Sequence, residues 1–146
     1  MSVPRLVLDA SVVLAALLTP NRRSASCLLV EAVGTGAMQL VVSAAVVAEY
    51  RRTVEEHAAE SHLDDPLGLV LDLAAAAELV EPVEVRVVKA DPSDDVYLGT
   101  ALAGRADYLA TFDRRHLLPL DPFKGVRVLT PGDVLRQLRS QGRPGS

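Results

Sequence analysis

Short apolar runs that read as strands alternate with helical stretches about five times along this chain, and most end at a polar break. The first run covers residues 3–8, is broken only by Pro4 and Arg5, and ends at Asp9. Ser11 reads as the N-cap of a helix over 12–18, which Thr19-Pro20-Asn21 ends. A second helix is predicted over 22–33, with Cys27, Leu28 and Val30 towards the core, stopped by Gly34-Thr35-Gly36. Residues 38–42 form the second strand. Ser43 then caps a helix reaching about His57, with Val47, Tyr50 and Val54 on its inner face. Pro66 suits a helix start, and 67–79 is a long Ala/Leu stretch. The valines at 83, 85, 87 and 88 predict a strand, residues 90–95 a turn, and 96–103 a helix ended by Gly104. Residues 108–110 and 126–129 are the last strands. Thr130 caps the final helix, with Pro131 at its first position and Asp133 in its first turn.

Without a strong hairpin signal, this alternation means a parallel sheet with helices on both faces. The fold class predicted is α/β, a three-layer α/β/α sandwich with a parallel sheet of four or five strands. The 146 residues match a single domain at about 150 residues per domain. The domain is placed over 1–140, with 141–146 a disordered tail. Ligands of such sheets bind outside the carboxyl ends of the strands, so the residues that follow each strand are the ones to weigh.

Composition narrows what those residues can do. Fifteen basic residues, all Arg except Lys89 and Lys124, face nineteen acids, for a net charge of −4. Aromatics are 3% and Trp is absent, which excludes an aromatic platform for stacked bases and a broadly basic nucleic-acid footprint. A nucleic-acid role therefore needs local Arg clusters or metal ions offsetting acids. Cys27 is the single cysteine, so there is no internal disulfide and no Cys-based metal site, which suits a reducing cytoplasm. No apolar run reaches the roughly 20 residues of a spanning helix. The Met-Ser-Val-Pro-Arg start lacks a signal-peptide h-region. A cytoplasmic protein with no membrane contact is expected.

Asp9 directly follows the first strand, where its plain role would be an N-cap. Glu49, in the third helix, would plainly pair with Arg52 or Thr53. Asp91, Asp94 and Asp95 crowd the turn before the fifth helix, more acids than one cap needs. Asp113 leaves the strand over 108–110. Asp107 precedes that strand and belongs to the opposite edge, while Asp121 and Asp133 sit in a loop and a helix start; these three are set aside. Asp9, Asp95 and Asp113 fall at one edge of the sheet, and Glu49 is within reach of it. Hard oxygen donors without Cys or His point to Mg²⁺ or Mn²⁺, not Zn²⁺. A carboxylate-held cation suits in-line hydrolysis of a phosphodiester, with one ion acidifying the attacking water and a second about 4 Å away stabilising the leaving oxygen. Arg51, Arg52, Arg114 and Arg115 are candidate phosphate contacts, a solvated helix flank and loop being the plain alternative.

Four segments carry a resemblance: residues 6–17, opening Leu6-Val7-Leu8-Asp9-Ala10-Ser11; residues 43–52, with Glu49; Asp91-Pro92-Ser93-Asp94-Asp95 followed by 101–113; and Val128-Leu129-Thr130-Pro131. In this order and spacing, covering about 3–138, the chain resembles the PIN-domain family, in particular VapC-type toxins of prokaryotic toxin–antitoxin pairs. The resemblance implies a Mg²⁺- or Mn²⁺-dependent ribonuclease holding one or two ions. Its first, second and fourth acids fall on Asp9, Glu49 and Asp113. The third falls on the Asp94-Asp95 pair; spacing back from Asp113 favours Asp95, and both are carried as metal ligands with Asp9 and Asp113. Ser11 and Thr111 match positions that orient the acids. The family often has another acid two residues after the fourth, where this chain has Arg115. The resemblance also implies a homodimer inhibited by an antitoxin protein, with RNA as substrate.

Two other classes are set against this reading. A catalytically weak PIN-fold module that binds RNA or protein would not require the full acid set. A phosphoacceptor receiver domain needs paired acids after the first strand and a late Lys after another, and neither is present. Phosphatases with Asp-x-Asp fail because position 11 is Ser.

Overall fold

Leu6, Val7 and Leu8 have no exposed surface, because β1 (Arg5–Leu8) is the middle strand of a five-stranded parallel sheet. A strand covered on both faces reads as an unbroken apolar run, not an alternating one. The computed structural model describes residues 3–87 and 92–141. The sheet order is β3-β2-β1-β4-β5, with β2 at Gln39–Val42, β3 at Glu78–Leu79, β4 at Tyr108–Ala110 and β5 at Arg127–Leu129. Leu6 pairs with Leu40 on one side and Tyr108 on the other, and Leu8 pairs with Ala110.

The helices are α1 (Ala10–Leu18), α2 (Ala25–Gly34), α3 (Ala44–His57), α4 (Pro66–Ala76), α5 (Pro92–Ala103) and α6 (Pro131–Gln141), with short 3₁₀ turns at Ala58–Glu60 and Leu118–Leu120. From β1 the chain steps outward through β2 to β3, then returns past β1 to β4. Right-handed crossovers in opposite directions place their helices on opposite faces. Accordingly α5 packs against β1, β2 and β4, while α1 to α4 and α6 pack on one another, with α1 on β1 and α6 on β4 and β5. The result is the predicted three-layer sandwich. The chain direction reverses between β1 and β4, and the carboxyl ends of these two strands form the switch point at which such folds bind ligands.

Several local expectations change. The helix over 67–79 stops at Ala76, whose carbonyl accepts a bond from Gln39 Nε2 at 3.0 Å. Glu78 and Leu79 then pair with Val41 and Val42 as the edge strand β3, because the outer backbone of β2 needs a partner. With that edge taken, the expected strand over 83–88 does not form across its described part, 83–87; Val88 lies outside the described residues. Valine-rich stretches are strands only where a ladder is available. The segment instead lies on α5, with Val83 N donating to Gly99 O at 3.2 Å. A Cβ on Gly99 would sit 2.2 Å from that Val83 oxygen, so close packing requires glycine there.

α5 begins at Pro92, which puts Asp94 and Asp95 inside its first turn, not in the preceding turn; Ala90 and Asp91 lie outside the described residues. α1 begins at Ala10, so Ser11 is helical and not a cap. α2 is shorter than expected, capped by Ser24, and buries Cys27, Leu29 and Val33, with Leu28 and Val30 half-buried at the flanks. On α3 the inner stripe is Val46, Tyr50 and Val54, one residue earlier at its start than Val47. Ser43 caps α3, its hydroxyl accepting from Val46 N at 3.4 Å. An isolated antiparallel bridge joins Phe123 and Val126 across a tight turn, with positive φ at Lys124 (48°) and Gly125 (89°), the backbone such two-residue turns demand. Gln141 closes α6; residues 142–146 of the expected tail lie outside the described residues.

Candidate active site

Asp9 takes the N-cap position of α1, yet its side chain makes no cap bond. It turns the other way, across the switch point. Its Oδ2 accepts from Thr111 Oγ1 at 2.6 Å and from Ser11 Oγ at 2.9 Å. Each hydroxyl is itself held by the loop after β4: Asp113 N donates to Thr111 Oγ1 at 3.0 Å, and Phe112 N to Ser11 Oγ at 3.2 Å. The loop backbone thus fixes both hydroxyl oxygens, and their protons are directed at one carboxylate oxygen. Asp9 is only 8% exposed. Burial raises its pKa, the Thr111 and Ser11 hydroxyls pull it back, and the charge of Asp113 adds to the rise. Desolvation outweighs repulsion between the acids here.

Two tyrosines bracket the same residue through its neighbours. Tyr50 of α3 donates to Leu8 O at 2.5 Å, and Ala10 N donates to the Tyr97 hydroxyl oxygen at 3.2 Å. The peptide groups on either side of Asp9 are therefore tied to α3 and α5. Burial, followed by the charges of Asp9, Glu49 and Asp94, holds Tyr97 far above the usual phenol range. Burial likewise raises Tyr50, with Tyr97 and Asp9 adding to it. Both phenols stay protonated. Sequence reading placed Tyr50 in the core and passed over Tyr97. The available signal was spacing: Tyr97 is three residues from Asp94, hence on the same helix face.

Asp9, Glu49 and Asp94 line one cleft of about 310 Å³ at this edge. Ser11 and Leu14 of α1 form one wall, and Asp94 and Tyr97 come from α5. The remaining wall is a stripe of α3 at helical spacing: Glu49, Arg52, Thr53, Glu56 and His57. Asp94 is 8% exposed. Asp95 faces another groove, shared with Val83, Val85 and Arg86, and accepts from Val87 N at 3.1 Å. The two neighbours in sequence thus have different surroundings, and the cleft receives Asp94, not the Asp95 that spacing favoured. Asp113, half-buried on the loop after β4, is not among the residues that line this cleft. Its Oδ1 accepts from Arg115 N at 3.0 Å and His116 N at 3.1 Å, shaping the turn that aims Thr111, and its charge reaches Asp9.

The four arginines separate as well. Arg52 lines the cleft and pairs with Glu49 at 2.5 Å, the pairing expected of an ordinary surface Glu. Arg51 pairs with Glu55 at 2.9 Å and lines a different groove, between α3 and α4. Arg114 and Arg115 are exposed on the loop after Asp113. Among the described residues, no three His, Cys, Asp or Glu side chains gather closely enough to hold a metal ion as they stand. The fit to a cation is one of donor chemistry. A buried carboxylate whose ionisation is resisted by burial and a neighbouring acid gains most from a hard divalent ion.

A family model of the PIN domain matches residues 5–115. The chain belongs to the PIN-domain family, whose fold is that of a nuclease. No curated protein matches the chain. Among the described residues no helix is long and apolar enough to cross a membrane.

Proposed function

We propose that this PIN-domain protein is a Mg²⁺- or Mn²⁺-dependent ribonuclease that hydrolyses RNA phosphodiester bonds and serves as the cytoplasmic toxin of a type II toxin–antitoxin pair. The observation that carries the nuclease reading is the meeting of Asp9, Glu49 and Asp94 in one cleft at the β1–β4 switch point. Asp9, Asp94 and Asp113 are the residues that would hold one or two ions, and Glu49 acts through water or positions the attacking water. What a bound cation supplies is acidification of that water and stabilisation of the leaving oxygen. Ser11 and Thr111 hold the Asp9 carboxylate in one orientation. Asp95, bonded to Val87 N, has a structural part in this reading. Arg52, which lines the cleft, would meet a phosphate there, with Arg114 and Arg115 offered from the exposed loop after Asp113.

The test is incubation of the purified protein with cellular RNA under three conditions: Mg²⁺, Mn²⁺ and excess chelator. Fragments that need metal and vanish in Asp9→Asn are expected. Intact RNA in every condition, or cleavage that persists in chelator, overturns the reading.

A second reading, a catalytically weak PIN-fold module that binds RNA or protein, is favoured by one contact. Glu49 is already paired with Arg52, and a residue so engaged is withdrawn from work on water. RNA binding without turnover would select it.

The toxin role brings two partners, a second copy and an antitoxin. The supporting surface is narrower than the apolar helices suggest. Val12, Val13, Ala16 and Leu17 of α1 are buried, whereas Leu67 and Leu71 of α4 are 41% and 69% exposed beside a groove walled by Val47, Val70 and Ala74. Where a short reading frame lies upstream of the gene, co-expression with its product should suppress both RNA cleavage and growth arrest; no change in either sets the toxin role aside.

A further inference from the structure

The loop after β4 presents an aromatic ring to solvent. Phe112 is 44% exposed, whereas Tyr50, Tyr97 and Tyr108 are buried. The remaining aromatic, Phe123, packs against the core with Lys124 Nζ 5.6 Å from its ring centre. A single exposed apolar side chain is ordinary, but two features set this one apart. Its backbone is fixed to the acids. Phe112 N donates to Ser11 Oγ at 3.2 Å, and that hydroxyl donates to Asp9 Oδ2 at 2.9 Å, which keeps the Phe112 nitrogen within about 6 Å of the Asp9 carboxylate. Its neighbours are cationic. Arg114 and Arg115 are exposed on the same loop, and neither meets an acidic side chain among the described residues. The turn that carries them is held by Asp113, whose Oδ1 accepts from Arg115 N and His116 N.

We propose that Phe112 stacks on one base of the RNA next to the phosphodiester at Asp9, with Arg114 and Arg115 on the phosphates that flank this base. The inference rests on the nuclease reading of the acid site. Surface chemistry is the first argument. A flat ring beside two guanidinium groups, in a chain of net charge −4, matches a ligand that joins flat rings to repeated anions, and nucleic acids bind in this way. The exposed neighbours are charged, whereas the core of a protein–protein contact is depleted of charge. Placement is the second. Thr111 N continues the ladder beyond β4 by donating to Leu129 O at 3.0 Å, and its hydroxyl turns inward to Asp9. Successive side chains on an extended backbone face opposite ways, which leaves the next ring outside the acid cluster, for a base and not for the reacting phosphate. Rigidity is the third. The bonds through Ser11, Thr111 and Asp113 fix the loop before RNA arrives, so little ordering opposes binding. Composition excludes a platform of several rings; one ring serves one base, and stacking accepts any base because each has a π-face.

The absence of Trp from the chain makes Phe112→Trp a clean fluorescent reporter. The full-length variant is mixed rapidly with a ten-residue oligouridylate in Mg²⁺, and fluorescence is read before cleavage proceeds. Stacking is expected to quench the Trp. An abasic oligomer with the same number of phosphates should quench it little. Phe112→Ala and Phe112→Leu, at an exposed position, should keep the wild-type fold in amide spectra and bind dye-labelled oligouridylate about tenfold more weakly than wild type. Leu separates stacking from general apolar contact, which it would preserve. No quenching by oligouridylate, equal quenching by the abasic oligomer, or wild-type affinity in Phe112→Leu overturns the proposal. Cleavage is followed in the same mixtures. Quenching without cleavage by the wild type removes the nuclease reading and leaves the stacked base; cleavage without quenching removes the stacked base and leaves the nuclease.

Discussion

Asp9 stands under two opposed influences. Burial disfavours its charge, while two hydroxyls stabilise it. Because its folded pKa lies above the ordinary 3.8, the folded state binds the proton more tightly than the unfolded chain. The stability this lends is present at low pH and is lost as pH rises through the raised value. Asp9→Asn is therefore expected to be at least as stable as wild type at pH 7, with any advantage disappearing below about pH 4 in urea unfolding curves, near the ordinary carboxylate value. On the proposed nuclease reading Mg²⁺ should raise the melting temperature of wild type, and the same variant should lose both that rise and RNA cleavage. Thr111 is the complementary position. Thr111→Val removes a donor to Asp9 and the acceptor for Asp113 N, and should cost about 1–3 kcal/mol. It should also move the Asp9 carboxyl pKa further up, as read by carbon-13 titration, whereas Thr111→Ser should restore both.

At the scale of elements, the site depends on pieces that hold its helices in place. The 81–87 segment is pinned to α5 by the Val83–Gly99 bond and by Asp95. Gly99→Ala would drive a methyl into the Val83 carbonyl. The expected cost is about 1–3 kcal/mol from overpacking, with faster amide exchange at Val83 in native-state exchange measurements. At the other end of the sheet, Asp121 ties the loop before β5 to Arg127 Nε and Val128 N at 2.9 and 2.8 Å. The Arg127 guanidinium holds its pKa below the usual value. A lowered pKa means stabilisation that is complete above the ordinary carboxylate range and is lost as pH falls through the depressed value. Asp121→Ala should therefore lose about 1–3 kcal/mol at neutral pH, with the deficit shrinking in strong acid. Cleavage chemistry should be unchanged, since the loop lies away from the acid cleft.

For the whole molecule, the exposed apolar residues of α4 are the feature a lone subunit leaves unresolved. An exposed Leu is common, but two lining an apolar groove mark an interaction site. Sedimentation at micromolar concentration should find a species of about twice the 15.5 kDa chain mass, and Leu71→Lys should shift it to the single-chain mass without unfolding. A wild type that sediments at the single-chain mass sets the homodimer aside.

Much of this was legible in the sequence by itself. Strand–helix alternation determined a parallel sheet covered on both faces. The unbroken run Leu6-Val7-Leu8 marked a central strand, and strand-end spacing brought out Asp9 and Asp113. Those are local periodicities, and local physics suffices for them. Tertiary structure alone decided which of Asp94 and Asp95 enters the cleft. Adjacent helical residues point about 100° apart on a 3.6-residue turn, so their roles depend on how α5 is rotated against the sheet. It also decided that Glu78 and Leu79, not the valines after them, complete the sheet, because β2 has one open edge and the first segment to reach it takes the bonds. Tyr97 became part of the site for the same reason. Its hydroxyl meets Ala10 N across 87 residues of chain, a contact that no pattern within a single segment encodes.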